Sequence, residues 1–273
     1  MKCPPIFSGT DNRGVSTVVG AILVFGLLIA LLSIIQLQAV PNANAGVEYK
    51  HSQAAQGDLD RLDESIGRTV ETGNSEAVGV ELGTQYPTRL VTFNPGPPTG
   101  TLRTEAGGNV TLFNATASGP AGAFLNGSDK RYSTNSLVYE ANYNEYDGAP
   151  RRVREVGVGY DGFDNESIVR TQPFIDGSTI ELVTFNRSFA KTAAGSELIQ
   201  PTDVSGPART VPVRGEGTDE PLEIAVPTQL DNETWTEILE SQRVENGGHI
   251  ESFAVNETTN RLHVRLEPGV TYD

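Results

Sequence analysis

The chain has 273 residues, of which 35 are acidic and 20 are basic, so its formal net charge at neutral pH is −15. This balance argues against a nucleic-acid partner, because phosphates require a basic patch. We interpret the one local cluster, Arg151, Arg152 and Arg154, as a solvated strand end. A single cysteine, Cys3, leaves no pair for an intramolecular disulfide.

The first element in chain order is an apolar segment near the N-terminus. Residues 15–40 carry no charged side chain, and residues 18–32 are the most apolar part. A helix rises 1.5 Å per residue, so this segment reaches about 39 Å, against a hydrocarbon core of about 30 Å. We therefore predict a transmembrane helix over residues 15–40, with the lipid bilayer as its partner.

The charges on either side of this helix predict its orientation. Lys2 and Arg13 precede it, and the first charges behind it are Glu48 and Lys50. Basic flanks stay on the cytoplasmic side of a membrane. We expect a single-pass protein of the cell membrane, with the N-terminus in the cytoplasm and the C-terminal domain outside.

Two processing sites compete in this region. A secretory signal is cut after its apolar core, and Ala43 and Ala45 have the small-residue spacing for such a cut, which would release a soluble domain. A cut between Gly14 and Val15 would instead remove only a basic leader, residues 1–14, and would leave the apolar helix on the mature protein.

The residues around the second site resemble a known signal. Arg13, Gly14 and Val15, followed by Ser-Thr-Val-Val-Gly-Ala-Ile-Leu, are similar to the class III signal peptide of archaeal type IV pilins, above all of haloarchaeal pilin-like proteins. The resemblance covers about the first 40 residues, with a fainter likeness over residues 86–103. Bacterial pilins carry a glutamate at the fifth mature position, where this chain has Val19.

This resemblance implies a processing enzyme and further partners. A prepilin peptidase would recognise Arg13 and Gly14, and Val15 would become the new N-terminus. The apolar helix would then anchor the protein or pack against other pilin subunits in a surface pilus.

Composition beyond the helix indicates an exported halophilic glycoprotein. The chain has four lysines among its basic residues, and a strongly acidic surface suits molar salt, which screens charge repulsion. Glycans attach to exposed Asn-x-Ser/Thr sequons. Seven sequons lie beyond the apolar helix, and we predict glycosylation among them: Asn109, Asn114, Asn126, Asn165, Asn186, Asn232 and Asn256.

A linker and a second helix are predicted over residues 41–76. Pro, Asn and Gly in residues 41–46 are expected to end the membrane helix. Leu59, Leu62 and Ile66 then recur at spacings of three and four, which predicts an amphipathic stalk helix over residues 47–70.

Residues 77–273 are predicted to form a mainly-β extracellular domain, sandwich-like and with one or two helices. One helix is expected over residues 233–240, capped by Asp231 or Asn232, with Trp235 in the core. Whether there are one or two β domains stays open. The predicted strands cover residues 78–82, 90–93, 110–113, 136–143, 152–160, 167–170, 179–185, 197–199, 210–214, 222–226, 250–255 and 261–266.

The residue patterns contain no catalytic signature, so no enzyme activity, catalytic residue or cofactor is predicted. Asp161, Asp164 and Glu166 place oxygen donors on one loop, which makes them candidates for Ca²⁺. They lack EF-hand spacing, and no metal is predicted.

The predicted function is therefore a membrane-anchored, glycosylated, pilin-like surface protein of a haloarchaeon. The size of the head favours a minor pilus subunit over the main building block. Two alternatives remain: an uncleaved single-pass anchor carrying an extracellular binding or sensing domain, and an exported enzyme.

Overall fold

The computed structural model describes residues 13–164, 166–171, 174–206, 208–217, 220–245 and 249–273. A continuous helical rod opens the described chain, and a mainly-β head follows it. The rod consists of α1 (Arg13–Ile34), a π-helical turn (Ile35–Ala39) and α2 (Val40–Thr72). Within the described ranges, this rod is the one helix long and apolar enough to cross a membrane.

The predicted break at residues 41–46 is wrong, because these residues continue the helix. Pro41 lies in the first turn of α2. The π-helical turn comes just before it, and there the Val40 N–H donates to the Ile35 carbonyl, five residues back. The wider turn shifts the hydrogen-bond register where a proline ring would otherwise crowd the carbonyl four residues earlier. The predicted stalk helix is confirmed, and it is longer than expected.

The head contains many short strands, as the turn-rich sequence predicted, together with two long strands that were not predicted. Those in the described ranges are β1 (Val78–Glu81), β2 (Thr99–Phe113), β3 (Ala115–Ala117), β4 (Lys130–Asn142), β5 (Arg151–Glu155), β6 (Val158–Gly162), β7 (Ser167–Val169), β8 (Ile175–Asp176), β9 (Thr179–Ile180), β10 (Ala190–Ala193), β11 (Ser196–Ile199), β12 (Val213–Gly215), β13 (Glu223–Pro227), β14 (Ile250–Asn256) and β15 (Arg261–Leu266). The helices after α2 are a 3₁₀ turn (Gly119–Ala121), α3 (Gly122–Leu125) and α4 (Asn232–Glu245).

The mainly-β character of the head is confirmed, and its strands are organised around one large antiparallel sheet. Its strand order is β14-β15-β13-β2-β4-β5-β6-β7, and β10 also pairs with β2. β1 with β11, β3 with β12 and β8 with β9 form separate two-stranded ladders. A bulge between Ala106 and Gly108 divides the long β2–β4 pair. Such a bulge bends the strand and increases its twist, so the sheet curls.

Two apolar cores lie on opposite faces of the β4 strand. Val138 belongs to the first core, which contains Trp235 and Leu239 of α4. Tyr139 belongs to the second core, where α2 packs through residues including Leu62. Successive side chains of a strand point to opposite faces, so one strand serves both cores. The prediction that Trp235 lies in the core is confirmed, and Asp231 caps α4 by accepting a 2.8 Å bond from the Thr234 N–H.

Three strand predictions need correction. Residues 90–93 form an exposed loop instead of a strand. Residues 152–160 form a hairpin, because Val156 and Gly157 have φ of 44° and 92° and close the tight turn between β5 and β6. The strand expected over residues 179–185 is limited to β9.

Candidate functional site

The first half of the rod exposes apolar surface on every side. Between residues 18 and 34, the large apolar side chains of α1 are 41–69% exposed. A helix that is hydrophobic all round requires an apolar environment, either lipid or other helices. The candidate functional site therefore has two parts. They are the exposed helix α1 and the contacts through which the head binds α2.

The head first reaches the rod at Gln36. The Gln36 side-chain amide donates to the Phe93 carbonyl over 2.8 Å, and its oxygen accepts from the Phe93 N–H over 2.9 Å. Eight residues further along, the Arg89 guanidinium donates to the side chain of the buried Asn44 over 2.9 Å. The loop that carries Arg89 and Phe93 is thus attached to the start of α2.

Glu48, which is fully buried, holds a second loop against α2. Its carboxylate accepts the backbone N–H groups of Asn144, Glu145 and Tyr146 over 2.9, 2.9 and 2.7 Å. It also accepts the Tyr86 hydroxyl. Consecutive N–H groups directed at one point form a site for an anion, and here the protein's own carboxylate fills it. Burial and the bond to Glu48 raise the pKa of Tyr86 to about 12.

His51 makes the next contact along α2. Its Nε2 lies 3.1 Å from the Glu81 carbonyl and its Nδ1 lies 2.6 Å from the Tyr143 hydroxyl. A carbonyl can only accept, so the neutral ring carries its proton on Nε2 and accepts from Tyr143 at Nδ1. Burial lowers the pKa of His51, although the charges of Glu81 and Asp58 oppose this.

A buried ionic cluster lies under the C-terminal half of α2. Arg152 bonds Asp161 through Nε over 2.5 Å and Asp60 through Nη1 over 2.8 Å. Arg154 pairs with Asp63 over 3.0 Å. The interpretation of these arginines as a solvated strand end is wrong, because both are buried and their partners come mainly from another element.

Charges in this ionic cluster are matched in number. Arg170 adds a 2.7 Å bond to Asp161, so three guanidinium groups face three aspartates: Asp60, Asp63 and Asp161. Burial raises the pKa of Asp63, and the neighbouring Arg154 and Arg152 partly offset this effect. Removal of one member would leave a charge without its partner in a poorly solvated place.

Another buried carboxyl lies on the opposite face of the sheet. Glu155 accepts the Thr228 hydroxyl and the Gln229 N–H, and Thr228 in turn accepts the indole N–H of Trp235 over 2.9 Å. Glu155 has no ion-pair partner among the described residues, and burial raises its pKa to about 7. This group ties the β5–β6 hairpin to α4, away from the rod.

The predicted processing residues lie where the described chain begins. Arg13, Gly14 and Val15 form the first turn of α1, and residues 1–12 lie outside the described residues. The predicted cleavage point therefore lies within helical structure, which continues without interruption to Thr72.

Most of the predicted glycosylation sites are accessible. Asn109, Asn126, Asn186, Asn232 and Asn256 are exposed. Asn114 is half-buried, and its side-chain amide donates to the Pro221 carbonyl over 3.3 Å. Asn165 lies outside the described residues.

The three calcium candidates do not converge on a metal site. Asp161 is fully buried and bound to Arg152 and Arg170, whereas Asp164 and Glu166 are exposed. In the part of the chain that the structure describes, His, Cys, Asp and Glu side chains form no group of three that could hold a metal ion.

The sequence analysis did not identify the polar residues of α2 that bind the head. A signal was nevertheless present, since Asn44, Glu48 and His51 continue the three-and-four spacing of the buried apolar residues that begins at Ala55. Polar residues in register with an apolar face indicate buried partners. The partners themselves lie 30 to 98 residues away in the chain, so spacing alone could not identify them.

Comparison with known proteins places the chain near an archaeal sequence. It is 26% identical over 133 residues to an uncharacterized protein of Archaeoglobus fulgidus. The match covers 49% of this chain and 22% of that relative, so the chain spans about a fifth of the relative's length. No family model matches the chain, and no solved structure matches it.

Proposed function

We propose that this chain is a membrane-anchored, pilin-like surface protein of a halophilic archaeon. A prepilin peptidase removes residues 1–14, and the mature chain begins at Val15 with an uncovered apolar helix. The acidic head faces the outside and carries N-linked glycans. Through α1 the mature protein is held in the bilayer or joins a pilus as a minor subunit.

One observation carries this proposal: the large apolar side chains of α1 between residues 18 and 34 are exposed on all sides. A disposable secretory signal would have no need to continue as a rigid rod into the head. Here the head binds Gln36, Asn44 and Glu48, so a cut after Ala45 would remove the two residues that hold the loop of Arg89 and Phe93. The similarity to an archaeal protein also agrees with an archaeal source.

Mass spectrometry of the protein expressed in a halophilic archaeon tests the processing step. The mature chain is expected to begin at Val15, and replacing Arg13 and Gly14 together by Leu should leave the full precursor. The matched control replaces Ala43 and Ala45 by Val, which should leave processing unchanged. A start beyond Ala45 would identify a released protein, and a start at Met1 would identify the uncleaved anchor. The same spectra report which of the sequons carry glycans.

A further inference from the structure

The loop that touches Gln36 carries three large apolar side chains with almost no cover. Leu90, Val91 and Phe93 are 99%, 73% and 82% exposed. Residues 90–102 contain no charged side chain, although one residue in five of the whole chain is charged. An uncharged, apolar protrusion on such an acidic protein points to a contact outside the chain itself.

The loop, residues 84–98 and hereafter the tip loop, is held in a defined conformation. Arg89 bonds Asn94 over 2.8 Å as well as Asn44, and the Asn94 amide donates to the Pro87 carbonyl over 2.8 Å. The Asn144 amide donates to the Gly96 carbonyl over 2.9 Å. These bonds fix the backbone, so the outward direction of the three apolar side chains is built into the fold.

The tip loop lies level with the end of the apolar helix. From Thr17 to Gln36 there are 20 residues, which correspond to about 30 Å of helix and match the hydrocarbon thickness of a bilayer. The rod becomes half-buried at Ile35 and Gln36, where Phe93 binds it. With α1 in a membrane, the tip loop meets the boundary between acyl chains and headgroups.

We propose that Leu90, Val91 and Phe93 insert into this lipid boundary and form a second membrane contact of the head. The inference rests on the membrane anchor proposed above. Apolar side chains beside a membrane helix gain free energy by entering the acyl boundary, to a depth of about 5–10 Å for surface-bound elements. Together with α1, this contact sets the height and tilt of the head above the membrane.

Nitroxide labels on the full chain in phosphatidylcholine liposomes test the proposal. Cys3→Ser removes the single native cysteine, and Leu90→Cys then carries the label. Phe124→Cys is the matched control, because Phe124 is also an exposed apolar residue of the head. The Phe124 ring lies under the ammonium of Lys130, the first residue of β4. The other end of β4, Asn142, precedes Asn144, which binds the tip loop. At 3.4 Å per residue, the two ends of this strand are up to about 40 Å apart. Leu27→Cys reports on the anchor.

For each label we measure the collision rate with oxygen and the collision rate with a water-soluble nickel chelate. Oxygen concentrates in lipid, whereas the chelate stays in water. The expected result is an oxygen-to-nickel ratio at residue 90 severalfold above that at residue 124 and below that at residue 27. A lipid-like ratio at residue 27 with a water-like ratio at residue 90 overturns the tip-loop proposal and leaves the anchor intact. Chains that fail to float with liposomes overturn both.

A second copy of the chain is the competing occupant of the tip loop. In that case the label at residue 90 would be shielded from both collision partners. It would also show dipolar broadening that disappears when labelled chains are diluted with unlabelled ones. This outcome overturns the lipid proposal and assigns the loop to subunit contacts.

Discussion

The two halves of the helical rod expose and bury opposite kinds of side chain. In α1, Leu27 is exposed and no charge occurs beyond Arg13, whereas in α2 Glu48 is fully buried and leucines such as Leu62 face the head. Both halves are regular helix joined through one π-helical turn, so backbone geometry does not distinguish them. The difference lies in what surrounds each half, because α2 is covered by its own head while α1 requires cover from lipid or other chains.

This contrast also shows how a buried carboxylate can be tolerated. Burial of an unpaired charge costs several kcal/mol even after the protein relaxes. Glu48 avoids this cost through three backbone N–H groups and a tyrosine hydroxyl, while Asp161 avoids it through two guanidinium groups. The head therefore recognises α2 by hydrogen bonds and ion pairs in addition to apolar packing.

The largest effect is expected when charged side chains are introduced into α1. Leu23→Arg with Leu27→Arg should abolish membrane association, since each arginine at the centre of a membrane helix costs about 2.5–3.5 kcal/mol. Flotation of expressed protein with membranes measures the effect. Gln53→Arg with Gly57→Arg, at the same spacing on exposed positions of α2, should float like the wild type. Equal flotation of both variants would contradict a role for α1 in lipid.

On the α2 side, the largest loss of stability is expected from the ionic cluster. Arg152→Ala should lower the free energy of unfolding by about 3–5 kcal/mol, because the buried Asp161 and the largely buried Asp63 would each lose a guanidinium partner. Denaturant unfolding followed by Trp235 fluorescence measures it. Arg61→Ala removes an exposed guanidinium from Asp58, which keeps its bond from the Glu81 N–H, and should cost less than about 1 kcal/mol. Similar losses in both variants would show that the ionic cluster contributes no more to the free energy of unfolding than a surface ion pair.

A smaller and more local effect is expected at Glu48. Glu48→Ala leaves the N–H groups of Asn144, Glu145 and Tyr146 without their acceptor and should cost about 1.5–3 kcal/mol. Hydrogen exchange is expected to accelerate at these three amides. Glu71→Ala, at an exposed position of the same helix, serves as the control and should leave exchange there unchanged. Unaltered exchange in the Glu48 variant would contradict the proposed role of its carboxylate.

The smallest effect is a pH dependence of α2 docking through His51. Its pKa is lowered in the folded state, so the unfolded state binds more protons between that pKa and 6.5. The part of the stability that depends on His51 is therefore fully present above pH 6.5 and declines as the pH falls through this window, whereas the raised pKa of Glu155 acts in the opposite sense in both proteins. His51→Gln should flatten this part of the stability curve, measured by denaturant midpoints between pH 5 and 8. A curve identical to the wild type would exclude His51 as the source.

Fold elements with strong local patterns were predictable. The apolar run of residues 15–40, the amphipathic spacing of Leu59, Leu62 and Ile66, and the capped helix at Asp231 each carry their own signal. The errors fell where tertiary contacts override local signals. Pro41 continues a helix because a π-helical turn precedes it, and residues 90–93 have strand-like composition but no neighbouring strand to pair with.

Three properties follow from the residues without the fold: residues 15–40 are apolar and uncharged, an acidic mainly-β domain follows, and α2 has one face for packing. These properties depend on side-chain transfer between water and an apolar phase, which each residue carries with it wherever it lies. Tertiary structure alone decided that Arg152 meets Asp60, that Glu48 meets residues 144–146, and that the tip loop stands beside Gln36. Hydrogen bonds and ion pairs act over a few ångströms between residues far apart in the chain, so their partners are chosen only when the sheet and the rod come together.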